Sequence, residues 1–394
     1  MNATSLRRVL AAHGDAILLT AAVAFVLIRV ALTIDGLIEQ SSSGDLGRYY
    51  EIVTGGIAYR DQQVEYPPFA VLVLQAIYTV TRSREAFGLV IVATMAAIDA
   101  GLCVLMWRCF GRRVGIVFLA VDTLVFEMLL TRIDVIPAAL TAAFVALLTR
   151  VRPRPVPAAL AWIGAVGVKL WPLPLGVFLL DALRGRGRVA GLIAAAAGGG
   201  ALVAGWFAVG GLAGFRDVLT YRGATGWQME SVVGAAVRLA SGATVVSIQG
   251  ADRLGTATPL VTVSLLVAGT AGSLLAAHAA ARRGLLGTGW LAAVLMLLVT
   301  STLLSPQFLV WTVPAVAIAF WESVAAALAA STVAFACVLT LVEYDFYKPL
   351  RAGSVALEAT VVARNAILLL ALVLAIGAIV AERHRGPLRQ NGGA

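Results

Sequence analysis

Side chains able to move protons or grip anions gather in two polar stretches of this 394-residue chain, 35–66 and 211–255. The first contains Gly44-Asp45-Leu46-Gly47-Arg48-Tyr49-Tyr50-Glu51, then Gly55-Gly56-Ile57-Ala58-Tyr59-Arg60-Asp61, then Glu65-Tyr66-Pro67-Pro68. Asp45, Tyr49 and Ile52 recur at helical spacing, Gly55-Gly56 ends that short helix and Pro67-Pro68 opens another. A carboxylate on such a helix can accept a proton from a bound hydroxyl, or it can simply cap the helix. The second stretch holds Trp227-Gln228-Met229-Glu230-Ser231. This donor–acceptor mix beside an indole suits sugar hydroxyls, and it equally suits an amphipathic segment at lipid headgroup level. Charges also interrupt apolar runs. Lys169 lies between two of them, as a functional cation or a boundary anchor. Arg364-Asn365 falls inside the last run, with Asp99 or Glu358 as an alternative ion-pair partner. Asp134 follows Arg132 closely enough to suggest a local pair, and Gln307 follows Ser305-Pro306 as a site residue or a helix start. Asp122 and Glu127 have no evident partner in the sequence.

The elements that must carry these residues are membrane helices. Hydrophobic residues make up 60% of the chain and charged residues 13%, about half the charged share of soluble domains. Apolar runs suggest spans near 15–34, 86–108, 113–130, 135–150, 156–168, 170–182, 189–210, 256–281, 285–303, 306–320, 323–342 and 355–381. The first is full span length and no cleavage site follows it, so a retained anchor is expected. The apolar stretch 67–79 is too short to cross a core of about 30 Å. With that stretch left at the interface, the clusters Arg7/Arg8, Arg108/Arg112/Arg113, Arg150/Arg152/Arg154, Arg184/Arg186/Arg188, Arg282/Arg283 and Arg383/Arg385/Arg389 share one side, the cytoplasm. Both termini then lie inside. The acids Asp35, Glu39, Asp45, Glu51, Asp61, Glu65, Asp217, Glu230, Asp252, Glu343 and Asp345 lie outside. The stretch 156–182 reads as two short spans or one broken helix. The expected architecture is all-α: a single integral membrane domain, 1–394, of about 12 transmembrane helices, with outer loops at 35–85 and 211–255.

Composition also excludes alternatives. The net charge of +9 belongs to short loops between spans and not to a nucleic-acid surface, so no nucleic-acid partner is expected. Cys103, Cys109 and Cys337 fall in or beside helices and build neither a disulfide framework nor a zinc site. His13, His278 and His384 sit at the cytoplasmic ends, so no metal or other cofactor is predicted, although crowded outer carboxylates leave a divalent cation open.

The order of motifs resembles GT-C glycosyltransferases that use polyprenyl-phosphate sugars, closest to family 87, bacterial polyprenyl-phosphomannose α-mannosyltransferases. The matching residues are Asp45, Tyr49, Gly56-x-x-Tyr59 and Tyr66-Pro67-Pro68, then Arg132-Ile133-Asp134-x-x-Pro137 and Val168-Lys169-Leu170-Trp171-Pro172. Gly226-Trp227-Gln228-Met229-Glu230-Ser231, Ser305-Pro306-Gln307-Phe308 and Arg364-Asn365 follow, so the resemblance runs from about 15 to 375. It implies a GT-C fold with short interfacial helices in the first outer loop. It also implies inverting transfer of a sugar, foremost mannose, from a lipid phosphate donor to a glycolipid or cell-envelope glycan on the outer face. By the same resemblance Asp45 is the base. Such a transfer also needs cations for the donor phosphate, and Lys169, Arg222, Arg132, Arg60 and Arg364 are the candidates. Tyr49, Tyr59, Tyr66, Asp134, Trp227, Gln228, Glu230, Gln307 and Asn365 are expected around the substrates. The competing class is a secondary transporter or lipid carrier, which would favour internal repeats and midplane charges; no repeat is evident.

Overall fold

The computed structural model describes residues 15, 16, 18–29, 31, 44–220 and 225–382. In chain order the helices are α1 (Leu18–Arg29), α2 (Gly44–Thr54), α3 (Pro68–Thr81), α4 (Arg84–Phe110), α5 (Arg112–Asp122), α6 (Phe126–Leu130), α7 (Val135–Thr149) and α8 (Pro155–Val168). After a 3-10 turn at Leu173–Gly176 come α9 (Val177–Asp181), α10 (Gly185–Leu219), α11 (Val232–Ser241), α12 (Pro259–Ala281) and α13 (Leu286–Thr300). A second 3-10 turn, Pro306–Thr312, leads into α14 (Val313–Ala319), α15 (Val324–Asp345), α16 (Tyr347–Arg351) and α17 (Val355–Ala381). Three short strands, β1 (Trp227–Gln228), β2 (Val246–Ile248) and β3 (Ala251–Leu254), form an antiparallel sheet in the order β1-β3-β2 within the second polar stretch. The chain is thus an all-α, multi-pass membrane protein. Among the described residues five helices, α4, α10, α12, α15 and α17, are long and apolar enough to cross a bilayer alone. Several others follow one another across breaks, so lengths alone do not establish the count of twelve.

Local chemistry explains where the helices start. The hydroxyls of Ser83, Ser231 and Ser323 accept from the backbone N–H of Ala86, Gly234 and Ala326, each an N-cap on an apolar run. Proline fills the first turn of α3, α8 and α12, where its missing N–H costs nothing. The run 113–130, expected as one span, is broken between α5 and α6. Arg29 of α1 meets this break, donating to Asp122 Oδ2 at 2.7 Å and to Thr123 Oγ1 at 3.1 Å.

Side-chain contacts tie many helix ends to one end of the bundle. Arg112 at the start of α5 pairs with Asp15 at 3.4 Å, and Arg113 stacks over Trp321. Glu322 accepts from the backbone N–H of Gly287 and Thr288 at 2.8 Å each. Arg283 donates to the Glu382 carbonyl at 3.2 Å, and His278 meets Asp181 at 2.7 Å. The basic clusters at 108–113, 150–154, 184–188 and 282–283 belong to this end, as a shared topology signal requires. The stretch 156–182 turns back on itself at Lys169–Pro172. Trp162 Nε1 donates to the Pro172 carbonyl at 2.8 Å, and a Cβ on Gly191 would meet both Leu183 (3.2 Å) and Pro155 (3.3 Å). The start of α8 and the end of α9 are therefore neighbours, and the segment is two antiparallel limbs.

The opposite end is built on α2 and α3. Tyr49 packs edge-on against Tyr66 just before α3, and Tyr50 packs against Tyr78 near its far end. Both ends of α3 therefore lie against α2.

The buried ion pairs differ from those expected. Arg364 faces Glu343 at 3.4 Å, not Asp99 or Glu358. Asp99 and Asp122 face Arg29 at 3.6 and 2.7 Å, and Glu358 faces Arg238 at 2.8 Å. Each partner comes from a distant helix, so linear proximity had no bearing on the choice.

Candidate active site

A cavity of about 920 Å³ opens at the end of the bundle away from the basic clusters. Asp45, Tyr66, Arg132, Lys169, Gln228, Glu230 and Gln307 all line it. Asp45 is the second residue of α2, where the helix N-terminus favours a carboxylate. Its Oδ2 accepts from Arg132 Nη2 at 2.9 Å, and the two side chains stay 28% and 17% exposed. A small molecule in the cavity can therefore reach both partners.

Lys169 terminates α8 and is held from four sides. Its Nζ lies 2.7 Å from Asp134 Oδ1 and 5.1–5.6 Å from the ring centres of Phe308, Trp311 and Tyr66. Trp311 Nε1 donates to the same Asp134 oxygen. Asp134 is therefore paired with Lys169 and not with Arg132, its neighbour in sequence. Two residues apart at the turn into α7, the two side chains take different directions. Trp311 also stacks between Phe308 (4.3 Å) and Trp171 (5.5 Å), which fixes the aromatic wall behind the ammonium.

The segment Trp227–Ser231, which brings Gln228 and Glu230 to the cavity, is held by its backbone. Gln228 N–H donates to the Thr302 carbonyl and Met229 N–H to the Asp252 carbonyl, both at 3.0 Å. Gln228 Nε2 donates to Glu230 Oε2 at 2.7 Å. Burial pushes the Glu230 carboxyl up to about 8, with nearby Glu343 adding to the shift against the pull of Arg364, Arg132 and the Gln228 amide. Trp227 is buried in β1 and offers no free stacking face. Arg364 and Asn365 are also buried, behind the Glu230 backbone, so Arg364 is not placed to touch a phosphate in the cavity.

The remaining expected residues support the site or stand apart. Tyr49 is buried, and its hydroxyl accepts from the Ile133 backbone N–H at 3.4 Å, next to Arg132. Tyr59 adopts a positive φ of 67°, and its hydroxyl donates to the Tyr66 carbonyl. A Cβ on Gly210 would come within 2.6 Å of Tyr59 Cβ, so that glycine lets the first outer loop wedge against α10. Arg60 is 71% exposed beside Asp61 and does not line the cavity, which removes it from the phosphate candidates. Arg222 lies outside the described residues.

Several lining residues were not anticipated. Arg48 holds Glu65 through two bonds of 3.1 and 2.9 Å, and Tyr344, Tyr347, Phe308 and Trp311 complete the walls. The spacing of Phe308 and Trp311 directly after Gln307 was the available signal for the aromatic wall. Among the described residues no group of three or more His, Cys, Asp or Glu is placed to hold a metal ion.

No protein among the curated ones matches the chain. Among solved structures, the apo crystal structure of ArnT from Cupriavidus metallidurans is similar, with a TM-score of 0.47 and 17% identity over 92% of this chain and 78% of that one. The model of glycosyltransferase family 87 matches residues 65–306, well over half of the chain and most of the cavity wall, and the chain belongs to that family.

Proposed function

We propose that this membrane glycosyltransferase moves a sugar, foremost mannose, from a polyprenyl-phosphate donor to a hydroxyl of a glycolipid or cell-envelope glycan, with inversion, on the outer face. The observation that carries this reading is an accessible carboxylate, Asp45, held against Arg132 in the cavity that Lys169 also lines. The acceptor oxygen attacks the anomeric carbon while the bond from that carbon to the phosphate oxygen breaks. The phosphate leaves with the bonding pair, and the acceptor proton passes to Asp45. No acid is needed for the leaving group, because a phosphate departs as a stable anion.

Arg132 pairs with Asp45 across 2.9 Å. A donor phosphate offers the guanidinium two oxygens at once and draws it away, which frees the carboxylate as a base. Lys169, fixed by Asp134 and the three rings, stands as a second point charge for the departing phosphate. Tyr66 and Gln307 line the remaining wall, and membrane lipids surround the bundle. The orientation that puts both termini in the cytoplasm is supported by the positive-inside rule applied to the arginine clusters.

The test is transfer of radiolabelled mannose from polyprenyl-phosphate mannose to a membrane glycolipid fraction by the purified protein. Label in the glycolipid supports the reading. Transfer only from arabinofuranosyl or glucosyl lipids would keep the reaction class and change the sugar. No transfer from any of the three would refute the proposal.

A further inference from the structure

The cavity lining carries two chemistries. Arg132 and Lys169 supply cations, whereas Gln228 and Glu230 supply an amide and a carboxyl. Gln228 and Glu230 are 4% and 1% exposed, and one side-chain oxygen of each, Oε1, is buried without a hydrogen-bond partner. The Gln228 oxygen accepts from a hydroxyl and repels a phosphate, and the Glu230 carboxyl can pair with a hydroxyl as donor or acceptor, so this lining suits the ring of a neutral sugar.

What aims these two side chains lies deeper. Arg364 Nη2 of α17 donates to the Glu230 carbonyl at 2.7 Å, and Asn365 Nδ2 donates to the Glu230 and Ser231 carbonyls at 3.3 Å each. Glu343 of α15, fully buried, faces the Arg364 guanidinium at 3.4 Å and offsets its charge. From the other side, a Cβ on Gly234 would fall 1.9 Å from the Gln228 carbonyl oxygen, so only glycine lets the start of α11 close over this segment. With the backbone fixed by α11, α15 and α17, neither Gln228 nor Glu230 has to spend its side chain on folding.

We propose that Arg364, Asn365 and Glu343 are positioning residues that hold Gln228 and Glu230 as a hydroxyl-reading subsite, and that this subsite decides which sugar is accepted. The inference rests on the sugar-transfer reading and deepens it. The hydroxyl belongs to the donor sugar or to the acceptor sugar, two sources with the same chemistry.

The experiment compares wild type, Gln228→Ala and Asn365→Ala, purified in lipid nanodiscs. KM and kcat are measured for polyprenyl-phosphate mannose and for its 2-, 3-, 4- and 6-deoxy analogues, with a glycolipid fraction as acceptor. Wild type should reject one deoxy donor by about 100-fold or more, whereas both variants should discriminate by about 10-fold or less. Asn365 does not line the cavity and meets the subsite only through the Glu230 and Ser231 carbonyls, so a merely structural role would lower all donors alike and leave discrimination intact. Unchanged donor discrimination together with a raised KM for the glycolipid in both variants would assign the subsite to the acceptor sugar. Equal losses on every donor with an unchanged acceptor KM would overturn the subsite while leaving the transfer reaction standing. Absence of transfer in wild type would overturn the sugar-transfer reading, and the subsite would fall with it.

Discussion

Replacing Lys169 by methionine separates the stability of the site from its chemistry. The ammonium lies 2.7 Å from Asp134, and the two side chains are only 15% and 2% exposed. Lys169→Met leaves a buried carboxylate whose remaining donor is the Trp311 indole. Breaking one side of such a pair costs about 3–5 kcal/mol. The lost contacts with Tyr66, Phe308 and Trp311 add about 0.5–1 kcal/mol each. Lys169→Met combined with Asp134→Asn removes both charges and keeps an oxygen for Trp311, so stability should return to within about 1–2 kcal/mol of wild type. Transfer should not return, because a cation aimed at developing phosphate charge contributes about 10²–10³-fold in rate. Denaturant unfolding in mixed micelles and single-turnover sugar transfer measure the two effects separately. A double variant that is both stable and fully active would refute the phosphate role and leave Lys169 as a structural partner of Asp134.

The raised Glu230 carboxyl holds its proton below about pH 8 and ionises above it. If the neutral acid is the working form, wild-type transfer falls as pH rises through about 8, whereas Glu230→Gln keeps its activity there; parallel alkaline profiles would contradict this. Arg29→Leu leaves Asp122 and Asp99 buried without their cation. It should destabilise the protein by about 3–5 kcal/mol, while the KM for donor in the surviving folded fraction stays at the wild-type value; a large KM change would place this distant cluster in the substrate path.

Hydropathy and the arginine clusters made the membrane architecture legible, because an apolar run bounded by charge has few other physical solutions. The family resemblance held over residues 65–306, whereas Asp45, Tyr49, Tyr59, Gln307 and Arg364-Asn365 lie outside the matched stretch. Asp45 and Lys169 stood out singly, one by its position after the first span and the other as a charge in an apolar run. Their partners were hidden. Lys169 meets Asp134 across 35 residues and Arg29 meets Asp122 across 93, and only the packing of separate helices brings such residues together. Arg364 was visible as a charge inside a span, yet its role depends on the backbone of Glu230, 134 residues away. The sheet in the second outer stretch escaped for another reason: strands of two to four residues are too short to display an alternation. The break between α5 and α6 carries neither glycine nor proline and therefore left no mark in the sequence.

In the proposed transfer Asp45 takes the acceptor proton. Asp45→Asn keeps the shape of the side chain and an oxygen for Arg132 but removes the basic site. The decisive measurement is single-turnover transfer of labelled mannose from polyprenyl-phosphate mannose by wild type and Asp45→Asn, with donor binding measured in parallel. Donor affinity close to wild type with transfer reduced by about 10²–10⁴-fold is the predicted result. Transfer at the wild-type rate in Asp45→Asn would contradict it and place the base elsewhere in the cavity.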